Sequence, residues 1–164
     1  MSLAYHPVSK LLHWLMAILL LGQLIFGWWM TSPYIPLHKS FGMIIGTLIL
    51  LRILWRLAHT PASLPSSVPH WQVKIARGLH FLLYVGMIVM PLSGFVGAAM
   101  GPHSLVFFGW VLPKLPENLF WSDELFDIHS AAAVILACLM GLHVLAGLKH
   151  LFINKDGVFQ RMWF

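Results

Sequence analysis

Four apolar runs, each near the ~20 residues a helix needs to cross a bilayer, dominate the chain and are separated by polar or proline-rich stretches. Their predicted spans are about 8–30, 37–57, 74–100 and 123–152. The first contains "LLHWLMAILLLGQLIFGWWM", with Pro7 as a natural first-turn residue upstream. The second, entered through Pro36, contains "HKSFGMIIGTLILLRILWRL". The third carries "MPLSGFVGAAM", where Pro91 predicts a kink. The fourth is expected to be capped by Ser122, with Asp123 and Glu124 complementing the helix dipole. Residues 31–37 read as a tight turn and 58–73 as a Pro/Ser-rich loop. Residues 101–122 read as an aromatic, proline-broken connection, either a lid lying in the interface or plain interfacial anchoring. There is no internal repeat and no low-complexity tract. The expectation is an all-α integral membrane four-helix bundle, one transmembrane domain over 1–164.

Composition agrees with that solvent. The chain is 59% hydrophobic and only 9% charged, where soluble domains run nearer to a quarter charged. The first run lacks a small-residue cleavage site and contains His13, so it reads as a retained helix and not a signal peptide. Cationic residues set the expected orientation: Lys10, Arg52, Arg56, Lys74, Arg77, Lys149, Lys155 and Arg161 fall on one side, and only Lys39 and Lys114 on the other. The positive-inside rule then puts both termini in the cytoplasm, with 58–73 a cytoplasmic and 101–122 a periplasmic loop. Four of the five acids, Glu117, Asp123, Glu124 and Asp127, lie on the far side. The basic residues sit at the ends of apolar runs and not on a polar face, which argues against nucleic-acid binding.

Histidines inside the runs change the picture, because an imidazole in lipid is costly. His129 and His143 share the fourth run. Fourteen residues of helix span about 21 Å and return to within roughly 40° of the same face. The two rings therefore point to one side of the helix, one in each leaflet. At the periplasmic level the other buried candidate is His38; at the cytoplasmic level the candidates are His13 and His80, and depth does not choose between them. His150 lies at the cytoplasmic exit, while His6, His59, His70 and His103 fall in loops or termini. Paired imidazoles at one depth suggest six-coordinate haem b, whereas zinc or copper would recruit carboxylates, thiols or a third imidazole. The single cysteine, Cys138, excludes a CxxCH attachment, so any haem is held non-covalently. The nine methionines read as packing.

The segments "SKLLHWLMA", "LHKSFGMIIGTLILLRILWRL", "ARGLHFLLYVGMIVMPLSG" and "GLHVLAGLKHLFINKDGVFQRM" resemble the bacterial cytochrome b561 family in order and spacing over nearly the whole chain. These are four-helix dihaem proteins of the inner membrane that exchange electrons with quinones. The resemblance implies that His13 and His143 hold the iron of a cytoplasmic-side haem, and His38 and His129 that of a periplasmic-side haem. It leaves His80 as a candidate for propionate or quinone hydrogen bonding.

Other polar residues carry two readings each. Arg52 and Arg56 are snorkelling anchors, or Arg52 grips a haem propionate bidentately. Lys39, beside His38, could do the same on the periplasmic side or draw an anionic substrate such as superoxide, which the resemblance brings into view. Gln23 is expected to make an interhelical hydrogen bond, and the tail "KDGVFQRMWF" to anchor in the interface. The function expected is electron transfer across the bilayer, exchanging with the quinone pool, with quinol or superoxide oxidised at the periplasmic side. One alternative is the haem-b anchor of a larger complex with a periplasmic redox partner; a remote one is a His-lined metal permease. A homodimer is compatible with either haem reading.

Overall fold

The computed structural model describes residues 5–59, 65 and 68–163. Within the expected loop at 58–73, positions 60–64, 66 and 67 lie outside the described residues, as do 1–4 and 164 at the ends of the expected single domain. Four long helices dominate: α1 (Pro7–Trp29), α2 (Ile35–Ala58), α3 (His70–Met100) and α4 (Leu119–Lys149). In lipid a backbone N–H or C=O without an internal partner is expensive, so an apolar run this long resolves as helix. All four, with α4 prolonged by a π-helical turn at His150–Asn154, are long and apolar enough to cross a membrane. The side chains left outside, such as Ile18, Leu54, Leu57 and Leu145, are those a bilayer would cover.

The start signals are partly those expected. Pro7 occupies the first turn of α1, where a missing N–H costs nothing, and His6 caps it by accepting from Val8 N–H. The turn after α1 is a 3-10 turn at Ser32–Tyr34, and α2 begins directly behind it. Helix α3 starts at His70, so the loop expected to run to residue 73 is shorter. It continues without a break through Pro91. The expected cap of α4 is wrong. Asn118 caps it, its Oδ1 accepting from Trp121 N–H, and Ser122 lies one turn inside, buried, with its hydroxyl donating to the Gly97 carbonyl of α3. The expected loop therefore ends at Asn118 and not at residue 122. Asn118→Ala should lower stability by about 1 kcal/mol, read as a fall in the thermal unfolding midpoint in detergent.

Neighbouring helices pack in chain order, α1 on α2, α2 on α3 and, most extensively, α3 on α4. The larger of two core clusters has helical spacing: Met16, Leu20 and Leu24 from α1, Ile45 and Ile49 from α2, Leu83, Met87 and Met90 from α3, Ala132 and Leu136 from α4; the smaller joins Ala98, Ala99 and Leu105. Gln23 interrupts that stripe and makes the expected interhelical bond, donating to the His38 carbonyl of α2 at 2.7 Å.

The α3–α4 connection is more ordered than its sequence suggested. Val106–Phe107 pairs antiparallel with Trp110–Val111 across a two-residue turn in which Phe108 and Gly109 both have positive φ, the mirror-image turn that matches strand twist. This hairpin folds down against α2: Phe108 N–H donates to the buried Ser40 hydroxyl, and the Phe41 and Phe108 rings meet edge to face. At the opposite end the tail docks on α1. Lys10 Nζ donates to the Trp163 carbonyl, Trp14 Nε1 to the Met162 carbonyl, and the Arg161 guanidinium lies over the Tyr5 ring. Both described ends of the chain thus share one end of the bundle. Behind the π-turn, His150 Nδ1 and the Asp156 carboxylate form a hydrogen-bonded ion pair at 2.6 Å. Burial alone would raise the Asp156 pKa, but the bonds from His150 and Val158 N–H outweigh it and hold the carboxyl below its ordinary value.

Candidate functional site

The histidines expected to pair do come together, in two sets at different depths. Near the hairpin end, His38 of α2 and His129 of α4 face each other with ring centroids 6.1 Å apart and planes at 86°. Nearer the termini, His13 of α1 and His143 of α4 lie 6.0 Å apart at 78°. All four rings are half-buried. Two imidazoles binding one metal from opposite sides through bonds of about 2 Å place their ring centres about 6 Å apart. Both pairs therefore have the spacing that an iron held between two imidazoles requires. Among the described residues no three His, Cys, Asp or Glu side chains converge on a metal-sized cage, which leaves the imidazole pairs as the candidate donors.

Each ring is held from behind. His129 Nδ1–H donates to the Met90 carbonyl at 2.7 Å, which leaves Nε2 as its free nitrogen, the arrangement in which an outer hydrogen bond fixes a metal-binding histidine. Gly94, one turn along α3 from Met90, makes this approach feasible: a Cβ there would sit 2.6 Å from His129 Nδ1. On the other side, Gly27 of α1 gives the same room to His38, whose Cε1 would lie 2.9 Å from an added Cβ. The Gln23 amide stands 3.0 Å from His38 Nδ1. At the deeper level, Arg52 Nη2 reaches 3.2 Å from His13 Nδ1. A guanidinium is thereby carried into the space beside the His13–His143 pair.

His80 joins this second group, but differently. Its ring centroid is 5.1 Å from that of His143, nearer than the roughly 6 Å a shared metal needs. The ring is exposed and its Nδ1–H donates to the Ala76 carbonyl of its own helix. Geometry therefore pairs His143 with His13 and leaves His80 at the margin. Lys39, half-buried at the top of α2, sits near Lys114 of the connection.

Two features escaped sequence reasoning. His6 and His59, expected to be merely solvated, build an aromatic cluster: His59 stacks on Trp55 at 3.8 Å, and the His6 ring lies 5.2 Å from Trp55. Their neighbours are distant in sequence, and the only hint was a tryptophan four residues before His59. The His129–Met90 bond was equally illegible, because it joins residues 39 apart on different helices.

The family described as prokaryotic cytochrome b561 matches residues 4–164. Cytochrome b561 homolog 2 of Escherichia coli (strain K12) is 31% identical over 170 residues, covering 96% of this chain and 90% of the relative. Cytochrome b561 homolog 1 of the same organism is 29% identical over 161 residues, 92% of each. A Yersinia pestis protein named probable superoxide oxidase CybB is 31% identical over 128 residues, 77% of this chain and 72% of the relative. With the family matched from end to end and four helices able to cross a membrane, the chain belongs to the prokaryotic cytochrome b561 family of multi-pass, haem b-carrying electron-transfer proteins.

Proposed function

We propose that the protein passes single electrons across the bacterial inner membrane through two haem b groups and exchanges them with the quinone pool. His13 and His143 would hold one haem, and His38 and His129 the other. The observation that carries this reading is the matched spacing of the two imidazole pairs, 6.0 and 6.1 Å, stacked along one face of α4. The haem supplies the one-electron chemistry when bound; the helices supply position and insulation from water. Imidazoles on both sides of an iron close it to oxygen and other small ligands. The Met90 carbonyl orients His129, and Arg52 is the group to grip a propionate on the His13 side.

The Lys/Arg asymmetry supports cytoplasmic termini and a periplasmic hairpin. Lys39 and Lys114 then give the periplasmic face its positive charge, suited to an anion such as superoxide, and the Yersinia relative's name points the same way. Two superoxide anions, each yielding one electron and leaving as dioxygen, provide the two electrons that, with two protons, convert one quinone to quinol. His80, beside His143 and with Nε2 free, is the candidate to hydrogen-bond the quinone or a propionate.

The test is haem per polypeptide in purified protein, with the reduced-minus-oxidised spectrum and stopped-flow quinone reduction under a superoxide source. Two haems with low-spin b-type bands are expected, and the near-perpendicular rings should give strongly anisotropic low-spin EPR signals. One haem per chain would sink the two-site reading. No haem, in cells with adequate supply, would sink the redox reading altogether.

A further inference from the structure

The hairpin does not lie flat on α2. Between them runs an apolar groove of about 330 Å3, lined by Met43, Ile44, Thr47 and Leu48 of α2 and by Phe107 and Leu112 of the connection. Its one polar side chain, Thr47, is already spent: the hydroxyl donates to the Met43 carbonyl of its own helix. A hydrocarbon chain suits such a lining, and a hydrogen-bonding head group does not.

Two cations stand at its upper end. Lys39, Met43 and Thr47 are successive i, i+4 positions on one face of α2, so the Lys39 backbone stands one turn, about 6 Å, from the groove residue Met43. Lys114 follows the groove residue Leu112 by two positions and lies close enough to Lys39 for the two charges to act on each other. Lys114 spends one N–H on the Gly101 carbonyl at the end of α3, leaving two. Among the described residues the only ion pair is His150–Asp156, so neither lysine has a carboxylate partner. Lys39 is half-buried and Lys114 exposed, and two like charges side by side with no acid between them attract an anion.

We propose that this groove and its two lysines form a binding site for one anionic phospholipid, with the phosphate between Lys39 and Lys114 and an acyl chain along Met43, Thr47 and Leu112. The apolar lining selects an amphiphile over a free anion, and the paired ammonium groups select an anionic head group over a zwitterionic one. The proposal is independent of which groups ligate iron.

The test is mass spectrometry of lipid retained by the full chain after exchange into mixed micelles of phosphatidylglycerol and phosphatidylcholine. Wild type should hold about one phosphatidylglycerol per chain, preferred roughly tenfold over phosphatidylcholine. Lys39→Gln/Lys114→Gln should abolish the preference, and Thr47→Trp, which fills the groove and keeps both charges, should reduce retention of either lipid. If the double variant fails to fold, Lys114→Gln alone should weaken the preference. Equal retention of both lipids by wild type would overturn the proposal. So would undiminished retention by Thr47→Trp, competition by inorganic phosphate at the lipid's own concentration, or recovery of quinone in place of lipid.

Discussion

His143→Ala should halve the haem content, from two per chain to one, and leave the spectrum of the survivor unchanged. His143 has no hydrogen-bonded substitute: its ring meets His13 at 6.0 Å and His80 at 5.1 Å, and α4 offers no second imidazole at that depth. Removing it leaves His13 and His80 on separate helices with no face-to-face partner, while His38 and His129, about 21 Å away along α4 by the helix rise, keep their spacing. His13→Ala should behave in the same way. His80→Ala should keep both haems and change only quinone turnover or the potential of the nearer haem. The measurement is pyridine haemochrome absorbance per mole of chain, with redox titration of what remains. Loss of both haems, or retention of both, in His143→Ala would contradict the assignment, and loss of a haem in His80→Ala would reassign the deeper pair.

Gly94→Ala should cost the other haem, by a steric route. The new methyl would lie 2.6 Å from His129 Nδ1 and 2.8 Å from Cε1, closer than real Cβ contacts come. The ring cannot yield easily, because its Nδ1–H is bound to the Met90 carbonyl on the same wall of α3. Displacing it breaks that bond and turns Nε2 away from His38. The expected result is one haem per chain with the His13–His143 site intact. A milder version should follow from Gly27→Ala, whose methyl would meet His38 Cε1 at 2.9 Å. Protein that keeps two haems and an unaltered potential in Gly94→Ala would show that the ring sits elsewhere when the haem is bound.

The four spans and the facing of His129 and His143 were legible because few physical rules fix them: lipid enforces helix, and a helix returns to its own face after fourteen residues. Gln23 was legible for a similar reason, since a buried amide in lipid needs a partner. The choice between His13 and His80 was not legible. Both stand at the depth of His143, and what separates them is local: the His80 ring lies 5.1 Å from His143 against 6.0 Å for His13, and its Nδ1–H is tied to Ala76. The false cap at Ser122 shows a second limit. A hydroxyl followed by two acids is a standard helix start, but Phe120 and Trp121 had been counted with the aromatic connection when they belong to the first turn of α4. The hairpin escaped because its two-residue strands are too short for any alternation, and Ser40, which receives it, looked like an ordinary helix residue. The docking of the tail on Tyr5, Lys10 and Trp14 depends on the ends of the chain meeting, which no local pattern reports.

Both imidazole pairs draw one member from α4, the last of the four long helices to leave the ribosome. His13 and His38 are made early and wait, unpartnered, through the synthesis of α3 and the hairpin. A chain interrupted before residue 129 has neither pair, and one interrupted between 129 and 143 has only His38–His129. On the proposed ligand assignment, haem capture therefore waits for the last long helix, whose synthesis completes the His38–His129 site before the His13–His143 one.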